Sequence, residues 1–480
     1  MLRLSTLLST LCLAGCAGLW PQAQPKLAAS IDAPVAAQWQ SPLPHGGQLG
    51  ELARWWSQFN DPLLEQLIAA GQQASPSLSA ARSRIEQARA NLLASGASLG
   101  PNVDLGASAA HGRMDLNTPV GTSLAGNLQA RWELDLFGAK SAARDAAQAR
   151  LQGAQAAWHE ARVSVAAEIG INYLNLRACE AQLAQTRLDF ESRRTSARLT
   201  ALSAKAGFQA PANAALAQAG TAQAAVNLNQ TQMQCDARIK SLVALSAMPE
   251  AGLRQQLSSA TARLPEPAQI AVQQVPAQAL AQRPDLQSAA QEVASTSFDA
   301  AEAQAQRYPS VSLSGSIGPA RFDAKAFSVS GTVWSLGPLA ITMPLFDGGA
   351  RAANAQAARA RYDAAASAYA ASLRQAVREV EDALLALHST ASRGADTLSA
   401  AQGFMQSFQA SEARYKGGLS SLFELEDARR SLVAAQSALI ELQRERVAAW
   451  ISLYRALGGG WSAEPSAGAN ADSAATSATK

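Results

Sequence analysis

Alternation of apolar and polar residues marks two neighbouring stretches in the first half of the chain, 103–109 and 128–136. A period of two is typical of strands whose two faces have different surroundings. The residues between them, 111–123, include Gly, Pro and polar side chains and are predicted to form a loop. The pattern therefore predicts a pair of adjacent strands.

A second strand pair is predicted in the second half of the chain. Apolar residues alternate over 311–317 and again over 339–345, and the stretch 318–327 between them is predicted to be a loop. A tilted strand needs about 9 to 11 residues to cross a membrane. Strands of this kind therefore suit an outer membrane.

A long helical pattern follows each strand pair. No proline occurs from 120 to 210 or from 345 to 464, and apolar residues recur at helical spacing in both spans. A helix that starts near Ala139 and ends near Gly207 would be roughly 100 Å long, at about 1.5 Å per residue. That length exceeds an ordinary domain and suits an element that crosses the periplasm.

The two halves form an internal repeat, in which each copy has an amphipathic helix, a strand pair and two long helices. The copies are predicted to cover 51–248 and 283–461, joined by a crossover at 249–282. The corresponding stretches are 75–78 and 283–286, 101–103 and 309–311, 136–137 and 345–346, and 205–207 and 416–418.

The N-terminus has the layout of a secretory signal peptide. Residues 1–15 contain Arg3, a short apolar run and then Leu-Ala-Gly, followed by Cys16. This ending resembles a bacterial lipobox, which implies cleavage before Cys16 and a covalent lipid on it, and Ala17 implies sorting to the outer membrane. The alternative is a cleaved signal with a chance cysteine. Residues 16–50 are predicted to be a tether, and 462–480 a disordered tail.

Composition narrows the class of protein further. Of the 480 residues 48% are hydrophobic but 5% aromatic, which favours long Ala-rich helices over a bulky globular core. The formal net charge is +3 without a basic block, so nucleic acid is not expected as a partner. No apolar run of eighteen residues follows the N-terminus, so no transmembrane helix is predicted.

Four strands are too few to form a membrane barrel in one chain. An open sheet edge in lipid leaves backbone groups without partners, and spanning barrels have at least about eight strands. The chain is therefore predicted to be an α+β membrane protein that shares its barrel with copies of itself.

The sequence motifs do not indicate an enzyme. The sequence has no phosphate loop or nucleophile elbow, and the histidines lack metal-ligand spacing, so no metal or other cofactor is expected. These histidines are His45, His111, His159 and His388.

Several motifs in order resemble the TolC-type outer membrane factors, and within them the NodT-like lipoproteins of efflux systems. They are Trp55-Trp56 with Phe59 and Asp61-Pro62, Arg-Pro-Asp-Leu at 283–286, Leu-Phe-Asp-Gly-Gly at 345–349, and Leu-Gly-Gly-Gly-Trp at 457–461. The resemblance implies a homotrimer with a twelve-stranded outer-membrane β-barrel, continuous with a long periplasmic α-helical barrel. It also implies an equatorial belt that includes the Pro-rich crossover.

The same resemblance implies how the protein works. It predicts an exit duct that passively conducts drugs or toxic small molecules, supplied by a periplasmic adaptor and an inner-membrane pump, with a proton-driven pump favoured. Two alternatives stay open: a duct for type I protein secretion, and a non-conducting periplasmic coiled-coil scaffold, which would need no strands.

The turn between the last two long helices is a candidate aperture. Gly417 and Gly418 allow the chain to reverse, as Gly207 does in the first copy, and Glu424 and Asp427 share one helix face. By resemblance, these two acids ring a closed periplasmic aperture in the trimer. The alternative is a solvated acidic face paired with arginines 429 and 430. In the first copy, Asn213 and the preceding Pro211 depart from the family pattern.

Two cysteines lie at equal sequence distance from the first turn. Cys179 precedes Gly207 by 28 residues and Cys235 follows it by 28. In an antiparallel helix pair this places both roughly 42 Å above the turn, at about 1.5 Å per residue. Because the periplasm is oxidising, a disulfide is predicted, with two reduced, packed thiols as the alternative.

Overall fold

The computed structural model describes residue 40 and residues 52–113, 119–265 and 280–460. The predicted signal peptide, the predicted lipid attachment site Cys16 and the predicted tail lie outside the described residues, as does all of the tether except Gln40.

The described elements follow the predicted order of helices and strands. In chain order they are a 3-10 helix Leu52–Phe59, α1 Pro62–Ala74, α2 Pro76–Ala97, β1 Asn102–Gly112, β2 Gly121–Leu134, α3 Ala139–Lys205, α4 Pro211–Ser246, α5 Glu250–Leu257, a 3-10 turn Ser258–Ala260, α6 Pro284–Ala305, β3 Ser310–Ala324, β4 Phe327–Thr342, α7 Ala350–Lys416, α8 Leu422–Ala456 and a 3-10 turn Gly458–Gly460.

The chain divides into two compact units, and the first contains the sheet. Its described residues fall within 82–156 and 287–372. The four strands are antiparallel and lie in the order β1-β2-β3-β4, which leaves β1 and β4 at the edges. Four strands in two consecutive pairs were predicted, and they are present.

The strands extend further than the sequence predicted, and the loop prediction for 318–327 was wrong. β3 and β4 are separated by two residues, because Gly318 and Pro319 continue β3 rather than ending it. Proline cannot donate to a ladder. The paired residues of β2 and β3 skip Pro319 and Gly318 and resume at Ile317, so the sheet tolerates the missing donor there. The predicted loop 111–123 is likewise shortened at both ends.

The long helices α3 and α7 each contain 67 residues and start beside a capping aspartate. The Asp135 carboxylate accepts hydrogen bonds from the backbone N–H groups of Lys140 at 3.0 Å and Ser141 at 2.8 Å. Asp347 accepts in the same way from Gly349 at 2.9 Å and Arg351 at 3.1 Å. These contacts satisfy free N–H groups of the first turn, and β2 ends at Leu134 rather than at the predicted residue 136.

The second unit contains the main hydrophobic core. Its described residues fall within 34–81, 157–286 and 373–460. The motif aromatics Trp55, Trp56 and Phe59 pack with Tyr454 and Trp450, and the Trp55 and Tyr454 ring centroids are 5.3 Å apart. These residues therefore join the start of the described chain to the end of α8.

Polar residues of the recognised motifs also hold this unit together. Asp61 caps α1 and accepts a hydrogen bond from the Tyr173 hydroxyl at 2.5 Å. Burial of Tyr173, and to a smaller extent this hydrogen bond, raises the pKa of Tyr173. The buried Arg283 donates to Asp285 at 2.6 Å, to Glu379 at 2.8 Å and to the carbonyl of Ala456 at 2.9 Å. Such charge-assisted bonds fix the entry to α6.

Among the described helices, none is both long enough and apolar enough to cross a membrane.

Candidate channel aperture and helix turns

Each long helix ends in a turn built around a glycine in the left-handed region. Gly207 has φ +81° between α3 and α4, and Gly418 has φ +73° between α7 and α8. In both turns the next N–H reaches back five residues: Phe208 N to Ser203 O at 2.9 Å, and residue 419 N to the carbonyl of residue 414 at 2.8 Å. This is the Schellman pattern, which favours glycine because a Cβ is strained there.

The acidic pair lies on the exposed side of the first turns of α8. Glu424 and Asp427 are both exposed, whereas Leu422 and Leu425 of the same turns are buried. Ser421 caps the helix by accepting a hydrogen bond from the Glu424 N–H at 3.2 Å. The two carboxylates therefore point away from the packed side of α8, as a residue that lines an aperture must.

The first copy differs at the corresponding turn. α4 starts at Pro211, and the residue before it, Ala210, provides no side-chain cap. The Asn213 side chain donates to the Gln209 side chain at 3.0 Å, within its own turn. The acidic character is therefore confined to the second turn.

The two arginines after the acidic pair have different partners. Arg430 is exposed and lies 3.8 Å from Asp427, a surface ion pair of small energetic value. Arg429 is 1% exposed and contacts neither acid of the pair; its guanidinium binds Glu426 instead. The simple picture of an acidic face neutralised by both arginines therefore holds for Arg430 alone.

Sequence reasoning missed a charge cluster, which we define as the buried Arg429 and the partly buried Glu426, Asp189 and Arg193. Arg193 bonds both Asp189, at 2.9 Å, and Glu426, which ties α3 to α8. Burial lowers the pKa of Arg429, and the charge of Glu426 partly offsets this effect. On α8, Glu426 lies between the two residues of the acidic pair in sequence, and Arg429 follows Asp427 by two positions.

Further contacts hold Arg429 from two other sides. It donates to the hydroxyl groups of Ser192 at 3.0 Å and Ser196 at 2.9 Å, and its guanidinium lies 5.4 Å from the centre of the Phe408 ring. In sequence, the pairs Asp189/Arg193 and Glu426/Arg429 have helical spacing, but their partnership joins positions 233 residues apart. Sequence spacing cannot reveal such a long-range contact.

The predicted cysteine pair is brought together. Cys179 on α3 and Cys235 on α4 are joined by a disulfide, with Cα atoms 5.6 Å apart. This separation lies within the usual range of about 4.4 to 6.8 Å. The state of the two thiols in the cell envelope stays a prediction, for which a test is given below.

Within the described parts of the chain, no group of three His, Cys, Asp or Glu side chains could hold a metal ion. His111 instead shares a hydrogen bond with Thr122 at 2.9 Å, across the β1–β2 pair.

Most of the described chain matches one protein family. The chain belongs to the outer membrane efflux protein family, whose sequence model matches residues 67–247 and 275–459. Proteins of this family are outer membrane channels rather than enzymes, and they need no cofactor.

Individual relatives agree with this assignment. The chain is 27% identical over 446 residues to the pyoverdine export outer membrane protein OpmQ of Pseudomonas putida, covering 89% of this chain and 92% of OpmQ. It is 25% identical over 412 residues to nodulation protein T of Rhizobium leguminosarum bv. viciae, covering 86% and 85%. The resemblance to TolC-type factors and their NodT-like branch is thereby confirmed.

A solved structure supports the same conclusion for the fold. The outer-membrane channel OprN superimposes with a TM-score of 0.77 at 25% identity, covering 92% of this chain and 99% of OprN. The chain is thus the outer membrane exit duct of an efflux system.

Proposed function

We propose that three copies of this chain form one closed channel, and that the channel passively conducts small toxic molecules to the outside. Each copy contributes four strands to a twelve-stranded barrel and two long helix pairs to an α-helical barrel. Support comes from the open edges of the sheet at β1 and β4, because an open edge in lipid leaves backbone groups unpaired.

The two copies of the repeat, 51–248 and 283–461, together make one third of the wall. The agreement in length of α3 and α7, each 67 residues, and of α4 and α8, at 36 and 35 residues, supports this assignment. Equal helices from both copies can surround a lumen at the same height.

The partners follow from the channel's place in the envelope. Outer membrane efflux proteins act as the outer components of tripartite pumps, and here a periplasmic adaptor and a proton-driven inner-membrane pump supply the substrate. A lipid on Cys16 and the apolar band of the barrel both hold the trimer in the outer membrane. Replacement of Cys16 by Ala should abolish incorporation of labelled lipid while channels still form; unchanged labelling would rule out the lipobox interpretation.

We place the periplasmic aperture at the second turn because Glu424 and Asp427 are exposed beside it. Three copies would place six carboxylates around the periplasmic aperture. A ring of carboxylates in a narrow passage concentrates cations, so the resting channel should prefer cations.

Single-channel recordings in planar bilayers test this function. The parent should conduct, and the double variant Glu424→Gln, Asp427→Asn should lose cation preference. The matched control Glu86→Gln neutralises an exposed acid on α2 that pairs with Arg89 and should leave selectivity unchanged. A parent without conductance would refute the duct, whereas an unchanged double variant would refute the aperture assignment alone.

A further inference from the structure

The register of the sheet sorts its side chains onto two faces. Residues that pair across neighbouring strands share a face, since side chains alternate with a period of two. One face, which we call the apolar face, carries large apolar residues on all four strands: Leu105, Leu128, Trp132, Leu313, Ile317 and Trp334. This face has the composition that lipid requires.

The opposite face, which we call the polar face, is hydrophilic near the helices. Arg131 pairs with Ser314, Glu133 with Ser312, and the hydroxyl groups of Ser316 and its partner Ser335 lie 2.9 Å apart. A face with these side chains suits a water-filled lumen.

Both faces change character beyond Ile317, toward the β3–β4 turn. On the apolar face, the Arg321 guanidinium donates to Asp323 at 2.8 Å and 3.0 Å, and Ser328 donates to the same carboxylate at 2.6 Å. This is expected where the outer wall leaves the membrane and enters water.

The change on the polar face is the unexpected one. There the register places Phe322 opposite Val329, Phe327 opposite Ala324 and Val333 opposite Gly318. The lumen side therefore becomes apolar at the height at which the lipid side becomes polar, and emergence into water cannot explain that.

The aromatic residues of this patch are packed rather than scattered. The rings of Phe322 and Phe327 have centroids 5.9 Å apart. Phe322 also lies over Gly121 of β2, where an added Cβ would come within 2.6 Å of the Phe322 ring. Val329 and Val333 are 60% and 61% exposed in the single chain. Glycine at 121 therefore leaves the space in which the ring lies.

We infer that Phe322, Phe327, Val329 and Val333 form an apolar collar at the outer end of the lumen, which contacts the apolar part of a solute in transit. The collar rests on the proposed trimeric channel, in which three copies surround the passage. Water-filled, polar wall precedes it on the path from the helices, so the collar is the place in the described sheet where a solute exchanges contact with water for contact with apolar side chains.

The collar has two measurable consequences. Apolar side chains at the mouth exclude ions from part of its cross-section, so they lower conductance. They also retain an apolar solute longer than a polar solute of equal charge, because burial of apolar surface is favourable.

Planar-bilayer recordings on the full-length protein separate these effects from channel formation. The triple variant Phe322→Ser, Phe327→Ser, Val329→Ser extends the serine-rich wall to the mouth. Ser330→Ala, at the same height on the opposite face, is the matched control. Tetraphenylphosphonium and tetramethylammonium, two cations of equal charge and different apolar surface, are the probes added to the bath.

In the parent, tetraphenylphosphonium should block the current at a lower concentration than tetramethylammonium. The triple variant should conduct more and should need about five- to tenfold more tetraphenylphosphonium for the same block, the loss expected for partial burial of one aromatic group. Ser330→Ala should behave as the parent. The conservative variant Phe322→Leu keeps an apolar side chain and should retain block.

The outcomes distinguish the collar from the channel. A triple variant that conducts and is blocked like the parent overturns the collar and leaves the channel intact. Loss of block in Phe322→Leu as large as in the triple variant also overturns the collar, because block then depends on packing and not on apolar character. A parent that forms no channels overturns both the proposed function and the collar.

Discussion

The two long helix pairs of this chain have nearly the same backbone and different chemistry. α3 and α7 each have 67 residues, and both lead through a left-handed glycine, Gly207 or Gly418, into a second helix of 36 or 35 residues. The two pairs therefore share the glycine conformation at the turn and the lengths of the helices on either side of it.

The side chains that join helices differ between the two pairs. In the first pair, a disulfide between Cys179 and Cys235 joins the two helices. In the second pair, Arg429 of α8 is buried and binds Glu426 of its own helix and Ser196 of α3. A covalent link therefore joins the helices of the first pair, whereas a charge cluster beside the candidate aperture joins the second pair to α3 of the first.

The difference teaches where a channel of this kind can specialise. Helix length and turn conformation have to match between the halves, because both line one lumen in the proposed trimer. The residues that face the lumen or join neighbouring helices are free to differ, since they leave the backbone unchanged.

Removal of the covalent link should have the largest effect on stability. Cys235→Ser frees a segment of 56 residues, for which the chain-entropy estimate is about 4 kcal/mol. We expect the thermal unfolding midpoint of the helical region, followed by circular dichroism, to fall. The parent treated with a reductant is the control and should fall equally. Mass spectrometry that finds both thiols free and alkylatable in protein purified from the envelope would refute the link.

Removal of the buried arginine should have the next largest effect. Arg429→Ala removes a buried guanidinium and leaves Arg193 as the remaining partner of Glu426 and Asp189, so we expect a loss of about 2 kcal/mol. The matched control is Gln218→Ala, at the corresponding and exposed position of α4, for which we expect a change within about 0.5 kcal/mol. Similar unfolding midpoints for the two variants would show that the cluster contributes nothing to stability.

Transfer of the acidic pair into the first half should give the smallest effect. Asn213 and Leu216 correspond to Glu424 and Asp427, and the double variant Asn213→Glu, Leu216→Asp adds acids beside the first turn. We expect a modest rise in the cation-to-anion permeability ratio, because the added charges join an existing ring. Gln218→Glu adds charge on another side of α4 and serves as control. An unchanged ratio in the double variant would place the first turn away from the aperture.

Local pattern was enough to predict several elements. Alternation predicted β1 to β4, and the absence of proline predicted α3 and α7 to within a few residues, because periodicity and chain breakers act over a few residues. The equal distances of Cys179 and Cys235 from Gly207 placed the two cysteines side by side for a similar reason: the rise per residue of a helix is constant.

Other predictions failed because tertiary pairing overrides local preference. Gly318 and Pro319 predicted a loop, but both residues belong to β3, where Pro319 pairs with Thr332 of β4. Proline is tolerated there because the ladder to β2 has a gap at that point. No local pattern in the sequence indicates such a gap, since it depends on a strand some two hundred residues away.

By itself, then, the sequence determined the strands, the helix lengths, the glycine turns and the family, because each depends on short-range patterns or on ordered motifs. Tertiary structure alone decided that Arg429 lies buried against α3 instead of pairing with Asp427, and that Phe322 and Val329 share one face of the sheet with Ser316. The physical reason is that strand register and helix packing determine which distant residues meet. Both are set by the free energy of the whole packed chain and not by that of any one segment.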